Sequence, residues 1–201
     1  MKSRKAKIII TLIVIVVGLS LPTLVLAYSV WHQGVDAYDK EIERWSGFAS
    51  QTKSDIATAA DTWNDLYAYF DFLCMGNDHN NTSTYPYHDE HNQITKIDAG
   101  SADAYWAEIT VVDKTWLFWP FTWELDEADI NMNGNSGVYW NNNPPCWPYI
   151  DVQSVILHEF GHFLGLGHSS EEDAVMYYQI DGGEIKRSLD IDDVNGIYAI
   201  Y

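Results

Sequence analysis

The sequence predicts an α+β domain. An amphipathic helical period comes first, several short strand-like runs follow, and two further helical segments close the chain. Its 201 residues suffice for one domain with a real core and are too few for two comfortable ones. A hydrophobic content of 47% and 14% aromatics place it among folded globular proteins.

The first 27 residues are expected to be a targeting segment rather than part of the fold. Lys2, Arg4, Lys5 and Lys7 form a positive cluster, and no charge appears from Ile8 to Ala27. Val25 and Ala27 supply small residues for a signal-peptidase cut before Tyr28. The uncharged run is also long enough to span a bilayer, so a cleaved signal peptide and an uncleaved membrane anchor both stand. Either way the positive flank stays inside and residues 28–201 go outside. The membrane then enters only through this segment.

From about Ser54 to Phe70, Ile56, Ala60, Trp63, Tyr67 and Phe70 recur at three- and four-residue steps, which predicts a helix packed on one face. Asn77 to Asn92 reads as a loop, dense in Asn, Asp, His, Ser and Pro. Strands are expected at Tyr105 to Asp113, at the aromatic-rich Trp116 to Trp123, and at Ala128 to Met132. After a loop over Asn141 to Pro148, Asp151 can cap a second helix from Val152 to about Leu164. A loop through Met176 leads to a last helix, about Asp190 to Ile200.

Charge narrows the partners. Four of the 11 basic residues lie in the first seven positions, so the rest of the chain sets seven basic against 29 acidic residues. That balance excludes nucleic acid, whose phosphates need a basic patch. Cys74 and Cys146 lack CxxC-type partners and a local activating base; in an exported chain they are the candidate pair for one disulfide.

The chemistry lies in the second helix. His158 and His162, four residues apart, fall on one helical face a turn apart and can bind one Zn²⁺ without moving backbone. Glu159 projects about 100° away from His158, beside the metal but outside the ligand pair, which suits a general base. Zinc hydrolysis wants a third ligand and an open position. Gly165 can turn the chain sharply, and Leu166 and Gly167 then bring His168 back. Glu159 is expected to take a proton from zinc-bound water, which attacks a peptide carbonyl, and to pass it to the leaving amine. By average composition these five positions coincide by chance in roughly one chain in 10⁵ of this length.

The run His158-Glu159-x-x-His162-x-x-Gly165-x-x-His168 resembles the metzincin motif, and Ser169 directly after it resembles the matrixin subgroup (matrix metalloproteinases). Other stretches agree. Asp151-Val-Gln-Ser154 is similar to the matrixin lead-in, and Glu127-Ala-Asp-Ile130 to the family's edge strand. Ala174-Val-Met176-Tyr177 places its methionine where the family has its Met-turn. Leu189 to Ile197 is similar to the C-terminal helix, whose paired aspartates anchor the Met-turn and the N-terminal region. The resemblance implies a zinc metalloendopeptidase acting on extracellular protein or peptide substrates. The implied fold is a metzincin-like zincin domain: a twisted mixed sheet, three helices and an active-site cleft. Met176 would lie beneath the metal as a hydrophobic floor.

No cysteine-switch propeptide is recognisable, so control of activity is expected to differ from that of typical matrixins. The family's structural zinc and calcium loop is not recognisable either. His79, His88 and His91 with Asp78 and Asp89 are candidates for a second metal, against the plainer reading of a solvated loop. Asp129-x-Asn131-x-Asn133-Gly134 resembles half of a Ca²⁺ loop but lacks the glutamate at its twelfth position, and alternation there favours a strand. A non-catalytic zinc-holding binding domain is the competing function; the presence of Glu159 speaks against it. Other metzincin branches would need cysteines soon after the third histidine, or an acidic residue at Ser169.

Overall fold

A computed structural model describes residues 28–32, 34, 40–67, 71–81, 86–97, 106–117, 123–144 and 146–201. Five strands make the main sheet: β1 (Lys40–Trp45), β2 (Leu73–His79), β3 (Asn92–Ile97), β4 (Ala107–Trp116) and β5 (Trp123–Asn133). Their order is β2-β1-β3-β5-β4, and only β4 runs antiparallel to its neighbour. Two short parallel strands, β6 (Tyr139–Asn141) and β7 (Tyr149–Asp151), form a second sheet. The helices are α1 (Ser50–Asn64), α2 (Val152–Phe163) and α3 (Ile191–Ile200). The α+β expectation holds.

Helix α1 buries Ile56, Ala59, Ala60 and Trp63, the i, i+3, i+4, i+7 stripe of a one-sided helix. It begins four residues earlier than its periodicity suggests, and Ala49 at the N-cap offers no side-chain acceptor to mark the start. The Trp63 indole reaches across to donate to the Leu157 carbonyl at 2.9 Å, joining α1 to α2. Helix α2 is apolar nearly all round and buried, as its composition requires. Asp151 caps it, accepting from Ser154 N at 2.9 Å, and Arg187 forks onto the same carboxylate. Asp190 and Asp193 make a reciprocal capping box at the start of α3.

The sheet interior holds several polar side chains that bond to main chain. Asp129, fully buried, accepts from Tyr87 N at 2.6 Å and Gln93 N at 3.0 Å. Asn131 accepts from Ile97 N at 3.0 Å, and Asn92 accepts from Ala128 N at 3.0 Å. The Asp129 to Asn133 run is therefore strand, and its oxygens serve the ladder rather than a calcium loop. Burial pushes the Asp129 carboxyl up to about 7.

Some expectations shift. Glu127 to Ile130 was expected at the sheet edge; it lies in β5, covered by β3 on one side and β4 on the other, and β4 is the edge. The aromatic run from Trp116 to Trp123 is not one strand: Trp116 ends β4 and Trp123 opens β5, while residues 118–122 lie outside the described residues. The ends of the Asn77 to Asn92 loop are taken up by β2 and β3. Cys74 lies on the outermost strand β2 and Cys146 in the loop before β7. The targeting segment at 1–27 lies outside the described residues. Among the described residues, no helix is long and apolar enough to cross a membrane.

Along the edge, the β4–β5 register shifts between Val111 and Asp113 and again between Asp113 and Lys114. The strand is thus regular from Ala107 to Val111, interrupted around Asp113, and regular again from Lys114 to Trp116.

Candidate metal centre

Helix α2 presents His158 and His162 one turn apart. The chain leaves the helix at Leu164 and turns at Gly165, whose φ of +108° is a conformation that glycine adopts without strain. Leu166 N bonds back to the Gly161 carbonyl at 2.9 Å, and His168 then faces the helix. One nitrogen from each of His158, His162 and His168 lies within 4.8 Å of the others. Among the described residues, no other group of three or more His, Cys, Asp or Glu side chains is gathered in this way.

The outward ring nitrogens are already assigned. His158 Nδ1–H donates to the Val175 carbonyl at 2.8 Å, and His162 Nδ1–H donates to the Leu166 carbonyl at 2.7 Å. Each bond fixes the tautomer that leaves Nε2 with a lone pair. The Nε2 atoms of His162 and His168 stand 3.2 Å apart. Two ligands of a tetrahedral zinc, with bonds of about 2.0–2.1 Å, stand about 3.3 Å apart, so the spacing fits that ion. Burial lowers the His158 pKa to about 3 and that of His162 to about 4, with the neighbouring imidazoles adding to the effect. His168 is lowered by burial as well. All three are neutral at pH 7, as metal ligands must be.

Glu159 is buried on the same helix, and burial, then the charge of Glu108, raises its carboxyl to about 8. It faces a cleft of about 870 Å³. One wall is the start of β4 (Trp106 to Ile109), the floor is α2, and the other wall is the segment Tyr177 to Asp181. Lys186 also lines it, with Nζ turned onto the carbonyls of Glu172 and Ala174.

Met176 is buried directly against the helix, its sulfur occupying the space where a Cβ on Gly161 would stand. The turn holding it is tied down by two aspartates. Asp193 accepts from Val175 N at 2.9 Å and Met176 N at 3.0 Å, and Asp192 accepts from Ser169 Oγ at 2.6 Å and Tyr28 N at 3.1 Å. Ser169 N donates to the Met176 carbonyl at 2.8 Å, closing the loop between the third histidine and the methionine.

The second metal group is dispersed. His79 donates to the Ile94 carbonyl, His91 pairs with Glu43, and Asp78 pairs with Lys53 and Arg44. Gly161, Trp106 and Glu108 were not anticipated as parts of the site. The first could have been suspected, since a glycine inside a buried helix asks for a packing reason.

Comparison with known proteins gives the same picture. The sequence model described as Matrixin matches residues 30–201. Metalloendoproteinase 5-MMP of Arabidopsis thaliana is 51% identical over 57 residues, 28% of this chain and 16% of that protein. Metalloendoproteinase 1-MMP of the same plant is 40% identical over 80 residues, 40% of this chain and 18% of that protein. Human neutrophil collagenase is 52% identical over 48 residues, 23% of this chain and 10% of that protein. In each case the matched stretch is less than a fifth of the relative's length.

Proposed function

The chain belongs to the matrixin family, and on that footing we propose that it is a zinc-dependent endopeptidase cutting extracellular proteins or peptides. The observation that carries this is the convergence of three neutral imidazoles in a cleft that also holds a buried carboxyl. His158, His162 and His168 hold the ion. Zinc bound there supplies a Lewis acid that polarises a carbonyl and acidifies water. Glu159 takes the proton of the attacking water on a carboxylate oxygen and returns it to the departing amine. Its raised pKa suits both halves of that cycle near neutral pH. Met176 supports the histidines from below, and Gly165 sets the turn that delivers the third. The substrate lies along β4, with Tyr177 to Asp181 walling the pocket for the side chain after the cut. Tyr177, Tyr178 and Ile180 make that pocket suit an apolar residue.

An extracellular setting is supported by the basic cluster and uncharged run at the start of the chain. Residues 28–201 form the catalytic domain, secreted or anchored outside the membrane by what precedes them. One Zn²⁺ per chain suffices for this chemistry.

The test replaces Glu159 by alanine and measures two quantities: zinc per chain, and cleavage of a proteome-derived peptide library read by mass spectrometry. Zinc should stay at one per chain while cleavage falls by about 10²-fold or more. Undiminished cleavage would refute the role of Glu159, and an absence of zinc-dependent cleavage by the unaltered chain would refute the enzyme.

A further inference from the structure

The segment before β1 lies against the metal centre through bonds that the family motif does not contain. Trp31 N and His32 N both donate to the Gly165 carbonyl, at 2.7 and 3.3 Å. Gly167 N donates to Ser29 O at 2.8 Å, and Ser29 Oγ donates to His168 O at 2.9 Å. Val30 and Leu166 pair as an antiparallel bridge. Gly165 and Gly167 are therefore strapped to this segment by main-chain bonds, and His168 by the Ser29 hydroxyl.

Two side chains go further, to His162. The His32 ring is 1% exposed and stacks on Trp123 at 4.5 Å with 26° between planes. Its Nε2 stands 3.0 Å from the His162 carbonyl, and Nδ1 stands 2.9 Å from the Gly34 carbonyl and 3.1 Å from Gly34 N; in the Nε2–H tautomer the ring donates to His162 and accepts from Gly34 N. That carbonyl is one of the last in α2 and also accepts from Gly165 N at 3.0 Å, so His32 adds a second donor at the helix end. The Trp31 ring stands edge-on to the His162 imidazole, centroids 5.6 Å apart at 77°.

We propose that Trp31 and His32 are positioning residues of the metal centre, His32 by holding the main chain of His162 and Trp31 by bracing its ring. This rests on the zinc reading above. Partners that orient ligands from behind change metal affinity by about 10–100-fold when removed. The Val175 and Leu166 carbonyls orient His158 and His162 by accepting from their own Nδ1–H groups. The strap instead acts on the backbone of His162 and on the turn that carries His168, so its loss loosens two of the three ligands together.

The experiment follows zinc release from the full chain into excess chromophoric chelator, with the visible spectrum of the cobalt(II)-substituted protein as a second reading. His32→Phe keeps a ring over Trp123 and removes the donor; His32→Gln returns an amide donor near the reach of Nε2. Release from His32→Phe about 10-fold faster than from the unaltered chain, with His32→Gln nearer to it, supports the inference. Equal release from all three overturns it, as does equally fast release from both variants. Trp31 is 42% exposed, so Trp31→Leu tests the strap even if His32→Phe does not fold. An altered cobalt spectrum at an unchanged unfolding midpoint of the metal-free protein supports the bracing role; an unchanged spectrum and release rate overturn it. An unaltered chain that takes up no zinc sinks the peptidase reading together with this one, whereas zinc held equally well by every variant sinks this one alone.

Discussion

Placing a methyl group on Gly161 asks whether the helix and the methionine turn are fitted as closely as the structure implies. An ideal Cβ there would overlap Met176 Sδ and lie 3.0 Å from Trp63 Cζ2 and 3.2 Å from Met176 Cε. Trp63 is fully buried and Met176 is 1% exposed, so neither can swing into solvent. Within a helix, alanine is worth about 0.8–1.0 kcal/mol over glycine. Overpacking of a filled core costs about 1–3 kcal/mol. Gly161→Ala should therefore lower stability by up to about 2 kcal/mol, or several degrees at about 2–4 °C per kcal/mol for a chain of this size. Met176→Ala alone costs about 2–5 kcal/mol through the cavity it leaves. In that background the sulfur is gone, so Gly161→Ala should turn neutral or stabilising by up to about 1 kcal/mol. Urea unfolding followed by tryptophan fluorescence reads all four proteins, with zinc chelated so that binding does not add to stability. Equal stabilisation by Gly161→Ala in both backgrounds would refute the close contact.

Three further outcomes follow from the same geometry. Because burial lowers His158 to about 3 and His162 to about 4, protons compete for the zinc site only in acid; zinc affinity measured by chelator competition should be level from pH 8 to about 6.5 and drop steeply near pH 4, and a steep loss centred on 6.5 would contradict it. Asp129 is raised from 3.8 unfolded to about 7 folded, so the folded state binds the extra proton between those values and this group's contribution to stability declines as pH rises through that window; comparing urea midpoints of Asp129→Asn and the unaltered chain at pH 4 and pH 7 should show the decline missing from the variant. Arg187→Ala strips the buried Asp151 cap of its cation, and calorimetry should show a loss of about 3 kcal/mol, whereas a change below about 0.5 would mean the pair is only decorative.

The second helix and the metal ligands were legible because their causes are local. Asp151 caps α2 next to its first residue, and the three histidines, the base and the turn glycine lie within eleven positions, so helical geometry alone nearly closes the site. The sheet was less legible. Strands β1, β2 and β3 carry Lys, Glu, Asn, Gln and Asp, and no alternation of apolar residues announces them. Their burial rests on side chains such as Asn92 and Asp129 bonding to a neighbouring strand's backbone, and that pairing is visible only after folding. Strand order is likewise a tertiary property, which is why Glu127 to Ile130 was assigned to the edge instead of one place inward. The strap at Trp31 and His32 is about 130 residues from the histidine it braces, and no local pattern links them.

The register shifts between β4 and β5 bear on what an extended partner at this edge can pair with. An edge strand offers its outward amides and carbonyls to any extended peptide, a second copy of the chain included, and such an edge must be kept short to be safe. Ala107 to Val111 pair without a break, and five residues at about 3.4 Å each give roughly 17 Å of template before the first shift. Past Val111 the register breaks twice, and Asp113 and Lys114 put both charge signs on the strand. An extended segment of about five residues matches the first regular stretch, and a longer one must cross both shifts before Lys114 to Trp116 pair regularly again. For the proposed peptide substrate the irregularity marks off a short window of β4, and it interrupts the same edge for a second copy of the chain.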